Sequence, residues 1–261
     1  MGTIVFKQLG RYGRLGNAMF QIASTIGIAR NSGNFFAFPY WKNYDALDRF
    51  NASEDIDMQK HFVHPLPIMN ESLNYRNFDC SWGYHEFPIG DENLNLIGHM
   101  QSEKYFKDCK NLVRHFLTMK QPERYYKPED GTAMVAIHLR CGDYDDNYHP
   151  IMSREYYEEA ISIMKSLGLY KFCVYSDDLD KAKTIFDGLG DIVYADSYGT
   201  IEDLYSMSQC SHFIIANSTY SWWGAWLSKN ESKVVIAPKK WFGIIAGISS
   251  EDIYCKNWIV I

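Results

Sequence analysis

Strand and helix patterns alternate five times between residues 133 and 237, and this alternation limits the fold more than any other feature of the chain. Short apolar runs suited to buried strands are separated by segments with apolar residues at helical spacing. The predicted strands span residues 133–139, 171–176, 192–195, 212–216 and 233–237, and the predicted helices span residues 153–167, 179–189, 200–210 and 220–229. Such alternation with short connections is typical of a doubly wound parallel sheet, so we predict an α/β fold.

The first half of the chain begins with the same alternation and then loses it. The predicted elements are a strand at residues 3–9, a helix at 15–30, a strand at 35–38, a strand at 96–101 and a helix at 103–117. Between them, residues 39–95 show no regular pattern. We therefore expect a second α/β half that carries a long irregular insertion.

A linker joins the two predicted halves. Residues 120–132 carry Pro122, Pro128 and Gly131 among charged residues, a composition typical of a connection. We divide the chain into residues 1–125 and 126–261, with a C-terminal tail that can pack back on the N-terminal half. Ligands of parallel sheets bind beyond the C-terminal ends of the strands, so the loops there are the places to look for chemistry.

Composition and charge exclude several classes of protein. The 261 residues include 32 acidic and 26 basic side chains, and the net charge of −6 argues against a nucleic-acid partner. Six cysteines are scattered without a C-x-x-C pair, so we expect reduced thiols rather than disulfides or a zinc site. The sequence shows neither a signal peptide nor a membrane-spanning run, and we expect a cytoplasmic protein that can associate peripherally with the inner face of a membrane.

A glycine-rich loop follows the first predicted strand. Its sequence is Gly10-Arg11-Tyr12-Gly13-Arg14-Leu15-Gly16-Asn17. Glycines spaced by three allow main-chain N–H groups to approach a ligand, and the N-terminus of the following helix favours an anion. Arg11 replaces the second glycine of the dinucleotide motif G-x-G-x-x-G. The loop therefore predicts either an anion site or a turn that only packs helix on strand.

The segment His138-Leu139-Arg140-Cys141-Gly142-Asp143 lies at the C-terminal end of a predicted buried strand. Because side chains alternate along a strand, His138 and Arg140 point to the same side. A guanidinium at this place suits the oxygens of a phosphate. The alternative is a structural cluster in which Asp143 pairs with Arg140 and ties the loop down.

Carboxylates occur at two further places in the second half of the chain. Asp177 and Asp178 come after the strand at 171–176, where they would accept hydrogen bonds from a nucleotide or cap the next helix. Asp203 lies three residues after Thr200, and this spacing predicts a capping pair at the start of the helix at 200–210.

Amide and hydroxyl side chains open the helix that follows the strand at 212–216. These residues are Asn217, Ser218, Thr219 and Ser221. Together with the free N–H groups of the helix N-terminus they predict an anion cradle, with helix capping as the equally simple alternative.

Asp143 and Asp145 form a D-x-D pattern. Two carboxylates and a diphosphate would suit a divalent metal ion. The pattern is very short, and Arg140 already offers a positive charge for a diphosphate. We therefore predict a site that needs no metal ion and no other cofactor.

Four segments of the chain resemble glycosyltransferase family 11, the bacterial and animal α-1,2-fucosyltransferases. Residues 13–21 resemble the family's G-G-L-G-N-Q-M-F-Q, and residues 138–144 resemble H-V-R-R-G-D-Y. Residues 202–227 resemble the long block E-D-L … N-S-S-F-S-W-W-G-A-W-L, and residues 235–242 resemble V-I-A-P-x-x-W-F. The matches occur in order along the chain, and the third is long enough to be specific alone.

Three residues depart from the family pattern, namely Arg14, Ala18 and Cys141, whereas the H-x-R-x-x-D core is intact. The resemblance implies a GT-B-like fold with two Rossmann-type halves, whose parallel sheets face a central cleft. It implies an acceptor-side domain over residues 1–125 and a GDP-sugar-binding domain over residues 126–261. The implied reaction moves L-fucose from GDP-β-L-fucose to the 2-hydroxyl of a galactose-terminated glycan, lipid-linked or free, with inversion and without a metal ion.

The resemblance also implies roles for individual residues. Arg140 would neutralise the β-phosphate of the leaving GDP, and His138 and Asp203 would contact the guanosine with support from Asp177 or Asp178. Ser218, Thr219 or Ser221 would hold phosphate oxygens, and Asn17 would meet the fucose or acceptor. Gly16 and Asn217 are further expected contacts of the donor. For the base that deprotonates the acceptor, Asp143 is the nearest candidate, and a dissociative route assisted by a phosphate oxygen is the alternative.

Overall fold

The structure is a computed structural model that describes residues 1–11, 13–43, 56–80, 82–87, 89–127, 133–142, 144 and 147–261. The chain divides into two units. Unit 1 consists of Met1–Lys120 and Glu251–Cys255, and unit 2 consists of Gln121–Ser250 and Lys256–Ile261. The boundary after Lys120 lies at the start of the predicted linker, and five residues near the C-terminus belong to the first unit.

Unit 1 is built on a four-stranded parallel sheet. Its elements in chain order are β1 (Thr3–Val5), α1 (Leu15–Asn31), β2 (Phe35–Ala37), the two-residue strands β3 (Lys42–Asn43) and β4 (Ile56–Asp57), β5 (Arg76–Asp79), β6 (Leu94–Ile97) and α2 (Lys110–Phe116). The sheet has the order β2–β1–β6–β5, while β3 and β4 form a separate antiparallel pair. Ile4 and Val5 in the centre of the sheet are fully buried, which explains why this short strand forms.

Helix α1 is buried almost throughout, because apolar side chains occur around its whole circumference. Its Gly27 has no room for a side chain, since a Cβ there would lie 2.2 Å from the carbonyl oxygen of Tyr105. The Ser24 hydroxyl donates to the Met100 carbonyl at 2.8 Å. These contacts fix α1 against the chain that follows β6.

Several sequence predictions in unit 1 differ from the structure, and the strands predicted at 3–9 and 96–101 are β1 at Thr3–Val5 and β6 at Leu94–Ile97. The helix predicted at 103–117 is broken into the 3-10 turns Glu103–Tyr105 and Lys107–Cys109, followed by α2. The cause is Phe106, which takes a non-helical backbone (φ −125°) while its fully buried ring packs 6.5 Å from Phe20. The predicted irregular region also contains β5, which pairs in parallel with β6 although three of its four side chains are exposed.

Unit 2 contains a six-stranded sheet in which every pairing is parallel. Its elements are β7 (Val135–Leu139), α3 (Arg154–Ser166), β8 (Phe172–Ser176), α4 (Leu179–Phe186), β9 (Ile192–Tyr194), α5 (Thr200–Ser208), β10 (His212–Ile214), α6 (Thr219–Leu227), β11 (Val235–Ala237) and β12 (Ile259–Val260). The order is β12–β11–β10–β7–β8–β9. The predicted α/β class with parallel sheets is confirmed, and the final strand β12 was not predicted.

The core of unit 2 surrounds the fully buried strand β7. On one side of the sheet, Tyr157 and Phe186 pack together with Phe172 and Val174. Trp222, Trp223 and Trp226 of α6 are also buried and contact one another, so the apolar run of this helix serves packing. Among the described residues, no helix combines the length and apolar character that a membrane span requires.

Candidate active site

An ion pair stands at the C-terminal edge of the sheet in unit 2. Arg140 follows β7 directly, and its Nη1 lies 2.6 Å from Oδ2 of Asp177, which follows the neighbouring strand β8. The register of the two strands explains why Arg140 and Asp177 are close. Leu139 pairs with Ser176, so the residues that follow them leave the sheet side by side. Both side chains are about three-quarters buried, with exposures of 21% and 25%. Arg140 is thereby held in a defined place at the edge where ligands of such sheets bind.

Asp177 also fixes the main chain of the loop after β7. Its Oδ1 accepts the N–H of Cys141 at 2.8 Å, and its Oδ2 accepts the N–H of Gly142 at 3.0 Å. Gly142 is required for this approach, because a Cβ there would lie 2.6 Å from Asp177 Oδ2. The structure therefore places Asp177 as the acceptor for three donors of the Arg140 loop. Its predicted contact with guanosine stays a prediction.

His138, the last but one residue of β7, is only 6% exposed. Within the described part of the chain its Nδ1 is buried and has no hydrogen-bond partner, and its ring lies 5.6 Å from the ring of Tyr220. Burial lowers the pKa of His138 to about 4, although the charge of Asp177 acts in the opposite direction. The imidazole is therefore neutral near pH 7 and can take part in hydrogen bonds as donor and acceptor.

The loop after β10 is braced by Asn217, which is 2% exposed. Its Nδ2 donates to the carbonyls of Pro150 and Trp241, each at 3.0 Å. Its own carbonyl accepts the Tyr144 hydroxyl at 2.9 Å, and the Tyr144 ring faces the Arg140 guanidinium at 5.7 Å. Asn217 thus links the Arg140 loop to the start of α6, a framework role that sequence analysis did not foresee.

The N-terminus of α6 also lies at the C-terminal edge of the sheet in unit 2, since this helix follows β10. Ser218 is the N-cap, and its side chain accepts the N–H of Tyr220 at 3.3 Å. Thr219 is the first residue of the helix, so its N–H is among the groups that favour an anion. The fully buried Ser221 hydroxyl donates to the Ser218 carbonyl at 3.2 Å, so it is turned toward the protein interior. The predicted contacts of Ser218, Thr219 and Ser221 with phosphate oxygens stay predictions.

Two other predicted nucleotide contacts accept local hydrogen bonds in the structure. Asp178 is the N-cap of α4 and accepts the N–H of Lys181 at 3.0 Å. Asp203 accepts the Ser197 hydroxyl at 2.5 Å and the N–H of Tyr198 at 3.0 Å. Burial raises the pKa of Asp203, and these hydrogen bonds oppose the rise.

The predicted capping pair of Thr200 and Asp203 is wrong. The N-cap of α5 is Gly199, whose φ of 138° lies in a region that glycine tolerates, and Thr200 is already helical. Asp203 reaches back to the chain before the helix rather than to Thr200. The predicted contacts of Asp178 and Asp203 with guanosine remain untested by this geometry and stay predictions.

In unit 1, the glycine-rich loop precedes α1 as predicted. Gly10 and Gly13 have positive φ values of 77° and 90°, and a Cβ at Gly10 would lie 2.1 Å from the Lys42 carbonyl oxygen. Gly16 and Asn17 lie in the first turn of the helix. The Asn17 Oδ1 accepts a hydrogen bond of 3.0 Å from Nε2 of Gln101, a residue that no sequence motif singled out.

The remaining predicted site residue, Asp143, lies outside the described residues, as does Asp145 of the D-x-D pattern. Among the described residues, no group of three or more His, Cys, Asp or Glu side chains is arranged to hold a metal ion. The base assignment for Asp143 and the independence from metal ions both stay predictions.

Known proteins resemble this chain over most of its length. Residues 8–261 match the sequence model of Glycosyl transferase family 11. The Escherichia coli protein "O-antigen biosynthesis glycosyltransferase WbnK" is 37% identical, over 83% of this chain and 80% of that protein. The Escherichia coli "Alpha-1,2-colitosyltransferase" is 30% identical, over 88% of this chain and 90% of that protein. A solved structure, NodZ alpha-1,6-fucosyltransferase soaked with GDP-fucose, has a TM-score of 0.47 at 14% identity, over 87% of this chain and 92% of that chain.

Proposed function

Because the chain belongs to glycosyltransferase family 11, we propose that it transfers L-fucose from GDP-β-L-fucose to the 2-hydroxyl of a terminal galactoside, with inversion and without a metal ion. The family membership makes it a glycosyltransferase, and it is similar to α-1,2-fucosyl- and colitosyltransferases. GDP-fucose as the donor and a galactoside as the acceptor are both parts of the proposal. A galactose-terminated repeat of a surface polysaccharide is the acceptor we favour, since one relative is an O-antigen glycosyltransferase.

The observation that carries this proposal is the fixed position of Arg140. Asp177 holds the guanidinium beside the loop after β7, and Tyr144 connects that loop to the residue before the N-cap of α6. Breaking the bond between fucose and GDP leaves negative charge on the diphosphate. A guanidinium and helix N–H groups held in advance near that charge stabilise the transition state, and each such donor is typically worth about 10²–10³ in kcat.

His138 and the polar groups near it would recognise the guanosine. A neutral imidazole next to Tyr220 can donate to or accept from a nucleobase or ribose, and its buried Nδ1 has no partner among the described residues. The reaction also requires the acceptor hydroxyl to lose a proton. Asp143 is the candidate base, and an oxygen of the departing diphosphate is the alternative proton acceptor.

Colitose transfer is the second candidate function, because a relative named for that activity is 30% identical over 88% of this chain. Colitose is the 3-deoxy counterpart of L-fucose. Arg140 and the N-terminus of α6 would contact the diphosphate of either donor, so these residues do not select between the two sugars.

The proposal is tested by incubating the protein with GDP-fucose or GDP-colitose and a panel of β-galactosides, with and without EDTA. We expect GDP release with GDP-fucose, unchanged by EDTA, and a product whose NMR spectrum shows an α-1,2 linkage. Transfer of colitose alone would select the second candidate. GDP release that EDTA abolishes, and that Asp145→Asn also abolishes, would instead indicate a metal-dependent enzyme. Binding of GDP-fucose without turnover of any acceptor would indicate a non-catalytic binding protein.

A further inference from the structure

Two segments of unit 1 differ in charge from the chain as a whole. Residues 56–69 and 103–120 contain six basic and three acidic side chains, whereas the whole chain carries a net charge of −6. Three histidines, His61, His64 and His115, lie in the same two segments. A locally positive region attracts an anionic surface even on an acidic protein, because salt screens the more distant charges.

The two segments pair with each other at the surface. The N–H of Lys120 donates to the His61 carbonyl at 2.8 Å, and the N–H of Val63 donates to the Thr118 carbonyl at 2.9 Å. Phe62, between the two paired residues, has an extended backbone and a buried ring. Because side chains alternate along an extended chain, His61 and Val63 lie on the outer side of this pairing.

His64 and His115 connect the same two segments through their side chains. Their rings are stacked, with centroids 3.6 Å apart and an inclination of 14°. The His115 ring also meets the edge of Phe116 at 5.1 Å, and Phe116 packs against Phe36 of β2 at 5.6 Å. These ring contacts fix the paired segments against the edge strand of the sheet in unit 1.

Aliphatic side chains are exposed in the same part of the surface. Val63 is 45% exposed and Ile68 is 59% exposed. Ile68 pairs in parallel with Phe38, whose ring lies 6.2 Å from that of Phe36, so Ile68 borders the contact between Phe36 and α2. Exposed aliphatic side chains next to basic ones are typical of a surface that enters the interface of a bilayer.

The charges on this surface favour a negatively charged partner. Lys60 and Lys120 are both exposed, and the main chain of Lys120 is bonded to the residue after Lys60. Of the three acidic side chains, Glu103 is offset by Lys110 at 2.8 Å, and Asp57 accepts a tyrosine hydroxyl at 2.8 Å. The two exposed lysines therefore lie together beside the aliphatic side chains.

We propose that this face of unit 1 docks on the surface of a membrane that contains anionic phospholipids. The docking face consists of Lys60, Val63, His64, Ile68, His115 and Lys120. The lysines meet the phosphates of the headgroups, and the two aliphatic side chains enter the boundary between headgroups and acyl chains. A nucleic acid would engage the lysines but would gain nothing from exposed aliphatic side chains. The inference does not depend on the proposed function, although a lipid-linked acceptor would be held at the same surface.

Co-sedimentation with vesicles tests the inference without any donor or acceptor. Vesicles of phosphatidylcholine and phosphatidylglycerol in equal parts are compared with vesicles of phosphatidylcholine alone. We expect binding to the anionic vesicles that weakens as salt is added, and much weaker binding to the neutral vesicles. A lysine near an anionic surface typically contributes about five-fold to binding, so Lys60→Gln combined with Lys120→Gln should weaken it about 25-fold. Ile68→Ser should weaken binding about ten-fold, because it removes apolar contact with the lipid.

Lys7→Gln and Phe35→Ser are matched controls within unit 1. Lys7 is exposed, and its Nζ lies 4.7 Å from the ring centre of Tyr75, which precedes β5 at the opposite edge of the sheet. Phe35 is 62% exposed and points to the other side of β2 from Phe36. Both controls should bind the anionic vesicles within about two-fold of the wild type, because they lie outside the docking face. Thermal unfolding of each variant verifies that it is folded.

Several results would overturn the inference. They include wild-type protein that binds neither kind of vesicle or binds both equally, and controls that lose as much binding as the docking-face variants. Tighter binding to double-stranded DNA than to the anionic vesicles would assign the lysines to a nucleic acid instead. A dimer in sedimentation velocity that Ile68→Ser dissociates would assign the face to a second copy of the chain.

Discussion

Replacing Asp177 by Asn tests whether the Arg140 loop is fixed as the structure shows. Asparagine has the same shape, but it offers one acceptor oxygen where aspartate offers two, and its amide nitrogen is a donor. Three donors meet the carboxylate, namely Arg140 Nη1 at 2.6 Å, Cys141 N at 2.8 Å and Gly142 N at 3.0 Å. In Asp177→Asn at least one of them faces another donor, so the loop must move.

This geometry gives an expected loss of stability and an expected loss of activity for Asp177→Asn. A hydrogen bond to a charged group contributes about 1.5–3 kcal/mol, and partial exposure of the pair lowers the expected loss of stability to about 1–2 kcal/mol. Displacing a catalytic group by about 1 Å can cost about 10²-fold in rate, so kcat/KM for GDP-fucose should fall by about two orders of magnitude. The larger effect is therefore expected on activity rather than on stability.

The assay measures the initial rate of GDP release at saturating acceptor, together with the free energy of unfolding. Asp180→Asn is the matched control, because it makes the same chemical change three residues away on a side chain that is 99% exposed. The control should stay within about 0.5 kcal/mol of the wild type in stability and keep its activity. If kcat/KM of Asp177→Asn is within three-fold of the control, then Asp177 does not position Arg140 for catalysis.

Three further predictions concern other parts of the structure. The free energy of unfolding should fall by about 3 kcal/mol as the pH drops from 6.5 to 4, because the unfolded chain protonates His138 before the folded chain does. The variant His138→Gln should lose this part of the pH dependence when stability is measured by chemical denaturation. Gly142→Ala should lower kcat about ten-fold in the GDP-release assay, because the added Cβ would lie 2.6 Å from Asp177 Oδ2 and would displace the Arg140 loop. An unchanged kcat would contradict the close approach of Asp177 to the main chain at position 142. Asp252→Asn should lower the free energy of unfolding by about 1 kcal/mol, because the Asp252 carboxylate accepts hydrogen bonds from Lys104 Nζ and from the N–H of Tyr84. An unchanged melting temperature would show that these hydrogen bonds do not stabilise the fold.

The alternating pattern was enough to predict five of the six strands in the parallel sheet of unit 2. Strands such as β7 are continuous apolar runs, and their burial depends on local composition that the sequence displays directly. The strand β5 has the sequence Arg-Asn-Phe-Asp and lies at the edge of its sheet, so its pairing with β6 depends on distant residues rather than on its own pattern. The interruption at Phe106 arises in the same way, because the packing of a buried ring overrides the helical spacing around it.

The residues at the candidate site could be found from the sequence, but their partners could not. Arg140 and Asp177 were both singled out, yet their ion pair depends on the register between β7 and β8. Likewise, the sequence shows that Asn217 is a polar residue at a strand end. Its hydrogen bonds to the carbonyls of Pro150 and Trp241 form only because three loops come together in the fold. Gln101 belongs to no motif that we analysed, and only the structure shows its bond to Asn17.

The most direct test of the account is a comparison of wild-type protein with Arg140→Ala in the transfer of fucose from GDP-fucose to a β-galactoside. The account predicts an α-1,2-linked fucosyl product from the wild type. It also predicts a fall in kcat of about 10²–10³ in the variant, with the folded structure retained, because the charge that forms on the diphosphate loses its fixed cation. A correctly folded Arg140→Ala protein that transfers fucose at the wild-type rate would contradict the central claim.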